Sequence, residues 1–269
     1  MKIITWNCNL KFKQKFELIS SYDPDICFVQ ECENLNSDFF PGYKYFWTGR
    51  NENKGLGVLT KKNDFYIDES HNTDLINFLP IKSDNLKLLG VWSFNHRASK
   101  FGSGVSGNTI DAINFYRDWF GGENERCIVA GDLNNSIIWD KTGNDNNFNN
   151  INDHFVELGF VSNYHSLKKE IFGKESSATF YHTKKESKKY HIDYIYSKNL
   201  IPKELQVGSY SEWIAYSDHS PLVVEYNILW FLPLKNTITF SLYDTYSSLL
   251  AGSGDVLKSS KGCQNLIPE

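Results

Sequence analysis

Four short segments combine the residue types that hydrolysis of a phosphate ester requires. They are Thr5-Trp6-Asn7, Val29-Gln30-Glu31, Ala130-Gly131-Asp132-Leu133-Asn134 and Ser217-Asp218-His219-Ser220-Pro221. Each segment lies at the edge of an apolar run that is typical of a buried strand. The reaction requires neutralising charge on the phosphoryl oxygens, positioning a water and stabilising the leaving oxygen. Strand ends that meet in one place are a rigid way of gathering the side chains for these tasks.

Glu31 and Asn7 are the candidate metal ligands. Glu31 is a lone carboxylate at the end of an apolar strand, where a sheltered charge needs a partner. We predict that this partner is a divalent cation. A carboxylate, the amide oxygen of Asn7 and a few waters are hard oxygen ligands, which suit Mg²⁺ or Mn²⁺ and not Zn²⁺. A glutamate after a strand is, taken alone, more often an ordinary surface residue.

The Gly131-Asp132-Leu133-Asn134 segment is a sharper signal. Gly131 permits a tight departure from the strand, and the alternation of an extended chain turns Asp132 and Asn134 to the same side. One of them can take a proton from water while the other donates to a phosphate or orients it. Asp and Asn after a strand also form Asx turns, and this alternative remains open.

His219 needs a carboxylate to orient its imidazole. The adjacent Asp218 is a poor partner, because neighbouring side chains in an extended chain point apart. Asp193, in the segment His191-Ile192-Asp193-Tyr194, is the candidate partner. Such a pair keeps the ring charged and directed at a phosphate oxygen. A satisfied surface histidine is the alternative.

The charge distribution bears on the substrate. The chain has a net charge of −4 and a pI near 6.0, so its overall field does not favour a polyanion. From residue 166 to residue 190, however, seven lysines stand against three glutamates. We predict that Lys188 and Lys189, with His96 and Arg97 from another loop, bind the substrate. The alternative for the lysine run is a solvated loop or helix face.

Six short β-branched or aromatic runs bounded by turn residues are predicted to be strands. They are Lys2 to Asn7, Asp25 to Glu31, Leu86 to Phe94, Arg126 to Asp132, His191 to Ser197 and Leu222 to Tyr226. Because strands outnumber helices and several follow one another directly, two packed sheets with outer helices fit better than a doubly wound parallel sheet.

Three helices are predicted between these strands. The first includes Phe12 and stops before Asp23-Pro24, the second extends from a cap at Asn108 to Gly121-Gly122, and the third covers Asn152 to Leu158. The predicted loops are Asn34 to Gly42, Phe101 to Gly107 and Gly143 to Asn152.

Composition limits the cellular setting. The 269 residues, 41% of them hydrophobic, are enough to bury a large core. The first predicted strand starts at Lys2, which leaves no room for a secretory signal ahead of it, and no apolar stretch approaches the roughly 18 to 20 residues that span a bilayer. Five cysteines without a Cys-x-x-Cys pair suggest neither a disulfide framework nor a zinc site. We therefore expect a cytoplasmic protein, and we infer no obligate protein partner.

The ordered set Trp-Asn, Gln-Glu, Gly-Asp-x-Asn, Ile-Asp-Tyr and Ser-Asp-His resembles the endonuclease/exonuclease/phosphatase superfamily. This superfamily contains exonuclease III-like repair nucleases, DNase I, neutral sphingomyelinases and inositol polyphosphate 5-phosphatases. The resemblance runs from Lys2 to about Tyr226, so we expect a catalytic domain over residues 1–227 and a C-terminal extension of unknown role over residues 228–269. It implies an α+β, DNase I-like fold: a four-layer α/β/β/α sandwich of two packed mixed β-sheets with outer helices.

The resemblance also implies Mg²⁺-dependent cleavage of phosphoesters, and it implies a role for each motif residue. It places Asn7 and Glu31 at the metal with Asp218 near it, Asp132 and Asn134 at the water and transition state, and Asp193 in support of His219 against the phosphate.

Two positions depart from the family pattern. Asn9 stands where many relatives have Asp, which removes one charge from the predicted metal site. Trp92 stands where nuclease and lipase relatives often have His or Tyr, and His96 is a candidate substitute that reaches back from the loop with Arg97.

We predict a divalent-metal-dependent phosphoesterase, and nucleic acid is the leading substrate class. The lysine-rich stretch, Arg97, Lys100 and the many aromatic side chains support this prediction. A phosphatase or phosphodiesterase acting on a small-molecule or lipid phosphate remains an alternative, and so does a non-catalytic binding domain on the same fold.

Overall fold

The computed structural model describes residues 1–94 and 109–227, and these carry fourteen strands and five α-helices. The strands are β1 (Lys2–Asn7), β2 (Ile26–Cys32), β3 (Lys44–Asn51), β4 (Lys54–Thr60), β5 (Tyr66–Ile67), β6 (Phe78–Ser83), β7 (Leu86–Trp92), β8 (Cys127–Asp132), β9 (Val161–Ser162), β10 (Phe180–Tyr181), β11 (Lys189–Tyr190), β12 (Asp193–Lys198), β13 (Pro202–Val207) and β14 (Leu222–Tyr226). The helices are α1 (Phe12–Ser20), α2 (Thr109–Phe115), α3 (Phe148–Glu157), α4 (Asn163–Lys168) and α5 (Tyr210–Trp213). The predicted cap Asn108, the predicted loop 101–107 and the predicted extension 228–269 lie outside the described residues.

Each of two six-stranded sheets has one parallel pair at its centre. The first sheet has the order β13-β14-β1-β2-β4-β3, with β1 and β2 parallel and the other neighbours antiparallel. The second has the order β5-β6-β7-β8-β12-β9, with β7 and β8 parallel and the other neighbours antiparallel. Parallel neighbours end at the same sheet edge. Asn7 and Glu31 therefore share one edge, and Trp92 and Asp132 share another.

The two sheets pack face to face through an apolar core. Phe28 and Val58 of the first sheet lie in the same buried cluster as Leu88, Ile128 and Ile195 of the second. Because side chains alternate along a strand, the remaining apolar residues of the central strands point outward. A strand that is apolar on both faces must be covered on both sides, which explains the continuous apolar runs.

Helices cover the outer faces of both sheets. Phe12 and Ile19 of α1 pack with Ile4 and Val29 on the outside of the first sheet. Helices α2 and α3 contribute a second set of side chains to the outside of the second sheet. The predicted four-layer α/β/β/α sandwich of two mixed sheets is confirmed.

Two predicted helix boundaries are wrong. Helix α2 ends at Phe115, before the predicted Gly121-Gly122 stop, and the chain continues in turns. Helix α3 starts at Phe148, inside the predicted loop. It starts there because the Asp140 carboxylate accepts hydrogen bonds from the backbone N–H groups of Phe148 (2.7 Å) and Asn149 (3.0 Å). Because Asp140 lies eight residues before the start of the helix, its capping role has no local sequence signature.

Four of the longer strands, β3, β4, β6 and β13, were not predicted, and β4 shows one reason. Its glycines weaken the strand signal in the sequence. In the sheet, Gly57 makes room for the Tyr45 ring of β3, since a Cβ at Gly57 would lie 2.6 Å from Tyr45 Cε2. Among residues 1–94 and 109–227, no helix has both the length and the apolar character that crossing a bilayer requires.

Candidate active site

An irregularity in β2 turns Glu31 toward the edge where β1 ends. The pairing of β2 with β4 shifts between Gln30 and Cys32, and Glu31 between them has a φ of +58°. A positive φ is uncommon outside glycine, and bulges of this kind re-aim a side chain. As a result, Glu31 Oε1 lies 3.3 Å from the Asn7 side-chain nitrogen Nδ2.

Asn7 joins the edges of the two sheets. Its Nδ2 also donates to Asp132 Oδ2 at 3.0 Å, and the residue is 2% exposed. Its Oδ1 accepts a hydrogen bond from the Asn9 backbone N–H at 3.1 Å. The side-chain nitrogen, and not the predicted amide oxygen, therefore faces the two carboxylates. A donor between two acceptors holds Glu31 and Asp132 close together.

Asp132 and Asn134 lie side by side because the chain makes an Asx turn after β8. Asp132 Oδ1 accepts from the Asn134 backbone N–H at 2.7 Å, and Asp132 Oδ2 accepts from Asn134 Nδ2 at 3.0 Å. Asn134 has a φ of +47°, and its Nδ2 also donates to the Ser93 carbonyl at 3.0 Å. The expectation that strand alternation places the two residues together is wrong, because β8 ends at Asp132. The turn left open as an alternative brings them together instead.

Glycine is required at position 131 for a different reason from the one predicted. It lies within β8, with a φ of +152°, and does not form the departure from the strand. A Cβ at this position would lie 1.7 Å from the Val91 carbonyl oxygen of β7. Only glycine at this position therefore allows β7 to lie this close to β8 at the residue before Asp132.

His219 is buried and held from several directions. Its Nδ1 lies 2.9 Å from Asp193 Oδ2, so the predicted contact with Asp193 is present, and the surface-histidine alternative is wrong because the side chain is 5% exposed. Its backbone carbonyl accepts from Trp6 Nε1 at 2.9 Å, and its backbone N–H donates to Ser217 Oγ at 3.0 Å. Ser217 Oγ in turn donates to the Asn7 carbonyl at 2.7 Å.

The remaining ring nitrogen of His219 faces Asp132. Nε2 lies 4.0 Å from Asp132 Oδ2, which is beyond hydrogen-bonding distance. Burial is the largest influence on the imidazole and lowers its pKa, but the charge of Asp193, the hydrogen bond with Asp193 and the charge of Asp132 together raise the pKa of His219 to about 9. Burial, and then the charge of Asp193, raises the pKa of Asp132 above its ordinary value. A cationic ring thus lies beside a carboxylate with an elevated pKa.

Asp218 lies beside Asn9, the residue that departs from the family pattern. Asn9 Nδ2 donates to Asp218 Oδ1 at 3.1 Å, and both residues are half-buried. An aspartate at position 9 could not make this hydrogen bond when ionised, because it has no donor. The Asn9 amide thus stabilises the Asp218 carboxylate, which an ionised aspartate at position 9 would repel.

The last part of the lysine-rich stretch, residues 180–190, forms a hairpin attached to the His219 segment. Strands β10 and β11 pair, and the intervening residues, with Lys188 and Lys189, are exposed. Phe180 pairs with His219 in an isolated antiparallel bridge, and their ring centroids are 4.7 Å apart. The predicted substrate-binding residues His96 and Arg97 lie outside the described residues.

Trp92 and Lys54 complete this edge of the sheets. Trp92 is 7% exposed and pairs in register with Asp132. Lys54, which the sequence did not single out, has its Nζ 2.9 Å from Glu31 Oε2 and 5.3 Å from the Trp92 ring centroid. No motif marks Lys54, since only the pairing of β4 with the irregular end of β2 brings it to Glu31.

Two overlapping groups of residues could hold a metal ion. Ligand atoms of Asp132, Asp193 and His219 lie within 4.8 Å of one another. In that group, however, His219 Nδ1 and Asp193 Oδ2 are engaged with each other, which leaves fewer free donor atoms. The carboxylates of Glu31 and Asp132, which flank Asn7, are hard oxygen donors, and the Glu31 side chain is 20% exposed and so open to an incoming cation. We therefore favour the Glu31 side of the site over the His219 side.

The chain belongs to the endonuclease/exonuclease/phosphatase family, whose model matches residues 4–219. Members of this superfamily are hydrolases that act on phosphoester bonds. The chain's sequence matches no curated protein.

Several solved structures share the fold. A 3′ phosphatase from Neisseria bound to a product DNA hairpin has 17% sequence identity and a TM-score of 0.65. A 3′-5′ exonuclease from Neisseria meningitidis has 18% identity and a TM-score of 0.62, and an AP endonuclease from Archaeoglobus fulgidus has 14% identity and a TM-score of 0.59. Each match covers 85% of this chain and 100% of the other. At these identities the likeness establishes the DNase I-like fold.

Proposed function

We propose that this protein is a divalent-metal-dependent nuclease that hydrolyses phosphodiester bonds in nucleic acid. The observation that carries the proposal is the polar cluster at the sheet edges, in which Asn7 bridges Glu31 and Asp132 while His219, held by Asp193, faces Asp132. Residues 1–227 would form the catalytic domain. The described cysteines are buried free thiols, which supports the proposed reducing, cytoplasmic setting.

Asp132 and His219 have complementary tasks in the proposed reaction. The Asp132 carboxylate accepts a proton from the attacking water, and its elevated pKa suits a general base near neutral pH. The water oxygen bonds to phosphorus as the bond from phosphorus to the leaving oxygen breaks. The cationic ring of His219 donates from Nε2 to a phosphate oxygen, where negative charge accumulates.

Asn134 and Asp193 position these two groups. Asn134 fixes both oxygens of Asp132 through the Asx turn, so that the carboxylate keeps one orientation. Asp193 accepts from His219 Nδ1, which fixes the orientation of the ring and leaves the Nε2–H for the substrate.

The residues present fit a hard divalent cation. Glu31 would hold it, with Asn7 beside Glu31 and Asp218 nearby, and the donor set is oxygen-rich. Within the described residues, Asp193 Oδ1 is buried without a hydrogen-bond partner, so one carboxylate oxygen beside the site is unused. When bound, Mg²⁺ or Mn²⁺ supplies positive charge that neutralises the phosphoryl oxygens.

The hairpin between β10 and β11 supports nucleic acid as the substrate. Its exposed lysines, Lys184, Lys185, Lys188 and Lys189, project from a segment that pairs with His219. A polymer whose scissile phosphate lies at His219 places its neighbouring phosphates near such a hairpin. Lysines bind the phosphate backbone without regard to base sequence.

Cleavage assays test the proposed activity directly. The purified protein is incubated with Mg²⁺, Mn²⁺ or EDTA and offered plasmid, abasic duplex, single-stranded DNA and bis-para-nitrophenyl phosphate. Asp132→Ala and His219→Ala are compared with His154→Ala, a matched control in a half-buried histidine of α3. We expect metal-dependent DNA cleavage that only the two site variants lose.

The other outcomes separate the alternatives. Hydrolysis of the small diester without DNA cleavage would favour a small-molecule phosphodiesterase. A folded protein that is inactive on every substrate would favour a binding domain. Activity that survives both site substitutions would refute the proposed site.

The salt dependence of DNA binding tests the hairpin. In EDTA, the slope of log affinity against log salt should fall by roughly 1.5 in a Lys188→Ala, Lys189→Ala double variant, because two phosphate contacts are lost. The matched control is Lys168→Ala, Lys169→Ala, which removes the same charge from exposed residues at the end of α4. Equal slopes in the two double variants would contradict a role for the hairpin.

A further inference from the structure

Lys54 lies where a metal-binding carboxylate would be expected to have its cation. Its Nζ is 2.9 Å from Glu31 Oε2, with the two side chains 41% and 20% exposed. The sheet fixes this position, because Gly55, the next residue of β4, pairs with Cys32 just after the irregularity at Glu31. The ion pair therefore follows from the backbone pairing of β2 and β4 and is not a chance meeting of long side chains.

The Trp92 ring is the second neighbour of the Lys54 ammonium, after Glu31. Lys54 Nζ lies 5.3 Å from the ring centroid, and an aromatic face attracts a cation at this range. Trp92 pairs in register with Asp132. The ammonium thus lies between Glu31 on the first sheet and the strand that leads to Asp132 on the second.

We propose that Lys54 is the resident cation of Glu31 in the metal-free protein, and that it competes with a divalent cation for this carboxylate. When the divalent cation takes Glu31, the ammonium turns to a phosphate oxygen of the substrate. This inference rests on the proposed function.

Electrostatics and side-chain length support the exchange. A dication at Glu31 would lie within a few ångströms of the ammonium, and like charges at that distance repel strongly in a sheltered site. Lys54 has a flexible four-carbon stem and a half-open path to solvent, so it can leave Glu31 without a backbone change. Trp92 keeps the displaced ammonium at the edge of the site.

The same strand offers a matched control. Lys61 follows the opposite end of β4, and its Nζ lies 2.6 Å from Asp23 Oδ1. Asp23 is 85% exposed and lies between α1 and β2, away from the edge that carries Asn7. Lys61→Met therefore removes a lysine–carboxylate ion pair just after β4 without touching the candidate site.

Direct titration with Mn²⁺, followed by electron paramagnetic resonance in the absence of substrate, tests the competition. The full chain and its Lys54→Met, Lys54→Arg and Lys61→Met variants are compared after thermal melting has shown that each is folded. We expect Lys54→Met to bind Mn²⁺ about tenfold more tightly than the wild type, because one repelling charge is gone. Lys54→Arg and Lys61→Met should stay within about twofold of the wild type. Equal affinities in Lys54→Met and the wild type would overturn the competition.

Inorganic phosphate tests the second position of the ammonium. In protein saturated with Mn²⁺, Lys54→Met should bind phosphate about fivefold more weakly, while Lys61→Met should not change, since one charge-assisted contact is lost. Unchanged phosphate binding in Lys54→Met would overturn the transfer to phosphate.

The outcomes also separate this inference from the proposed function. If neither the wild type nor Lys54→Met binds Mn²⁺, both proposals fall. If both bind Mn²⁺ equally tightly and the wild type cleaves DNA, only the inference about Lys54 falls.

Discussion

Two histidine–carboxylate pairs with little solvent exposure occur in the described part of the chain, and the second ring nitrogen of each histidine has a different neighbour. His219 uses Nδ1 on Asp193, while its Nε2 lies 4.0 Å from a third group, Asp132. His165 uses Nε2 on Glu175, at 3.2 Å, and Nδ1 on Ser162 Oγ, at 2.8 Å. Both rings of this comparison are nearly inaccessible to solvent.

Further contacts of His165 and Glu175 hold the histidine ring in place, and neither of its nitrogens is left for a substrate. Its ring stacks on Phe172 with a centroid separation of 3.5 Å, and Glu175 Oε1 also accepts from the Gly173 backbone N–H. The pair therefore ties a loop to α4. A histidine–carboxylate contact is thus not in itself a mark of catalysis, and a ring nitrogen left available beside a second carboxylate is the more informative feature.

The largest expected effect is the loss of activity on removal of the His219 ring. His219→Ala should lower DNA cleavage by about 10³-fold, because the proposed phosphate donor is gone. His165→Ala should keep cleavage within about threefold of the wild type in whatever fraction of the protein is folded. The measurement is the initial rate per folded molecule, and equal losses in the two variants would remove the distinction between the pairs.

Neutralising the carboxylate of each pair should give the next largest difference. Asp193→Asn keeps a hydrogen-bonding group but removes the charge that favours the imidazolium, so kcat should fall by about 10²-fold. Glu175→Gln, the same chemical change in the other pair, should leave kcat nearly unchanged. An Asp193→Asn enzyme with wild-type kcat would show that the charge of Asp193 has no catalytic role.

The His219 pair should also give a stability term that is lost in alkali. Because folding raises the pKa of His219 from 6.5 to about 9, its stabilisation is fully present below pH 6.5 and is lost as the pH rises through 9. In metal-free protein, the difference in free energy of unfolding between the wild type and His219→Gln should therefore shrink by roughly 3 kcal/mol across this window. Denaturant unfolding of both proteins at several pH values measures this difference in free energy. A difference that does not change with pH would rule out the contribution of His219.

The Glu175 pair should behave in the opposite way and to a smaller extent. Burial opposes ionisation of Glu175, but the hydrogen bonds from His165 and from the backbone lower the pKa of the carboxyl. Its stabilisation is therefore present above its ordinary pKa and is lost as the pH falls below it. The stability advantage of the wild type over Glu175→Gln, about 1 kcal/mol at neutral pH, should close in acid. An advantage that instead closes in alkali would contradict this assignment.

The local hydrophobic pattern of the sequence was enough to predict the strands that carry the site. The predicted bounds of β1 and β14 agree with the structure, and β2, β7, β8 and β12 lie within two residues of their predictions. These strands are apolar on both faces, so their signal is continuous and strong. The prediction failed for α3, whose start depends on Asp140, and for β4, whose Gly57 is explained only by the Tyr45 ring beside it.

The candidate site likewise has features that the sequence predicted and features that it did not. Residue types in the motifs pointed to Asn7, Asp132 and His219, and Asp193 was expected at His219 because an adjacent residue could not serve. Lys54 carried no signal, because its contact with Glu31 depends on an irregular pairing of two strands. The orientation of the Asn7 amide also escaped prediction, since it is set by Asn9 and by Asp132 together.

The sequence by itself determined the six strands that include the site strands, the motif residues at their ends and the chemical class they suggest, because these depend on patterns within a few neighbouring residues. Only the tertiary structure decided which residues meet, since Asn7 and Asp132 are 125 positions apart and Trp6 and His219 are 213 apart. The face-to-face packing of the two sheets fixes such contacts, and that packing depends on the whole core at once.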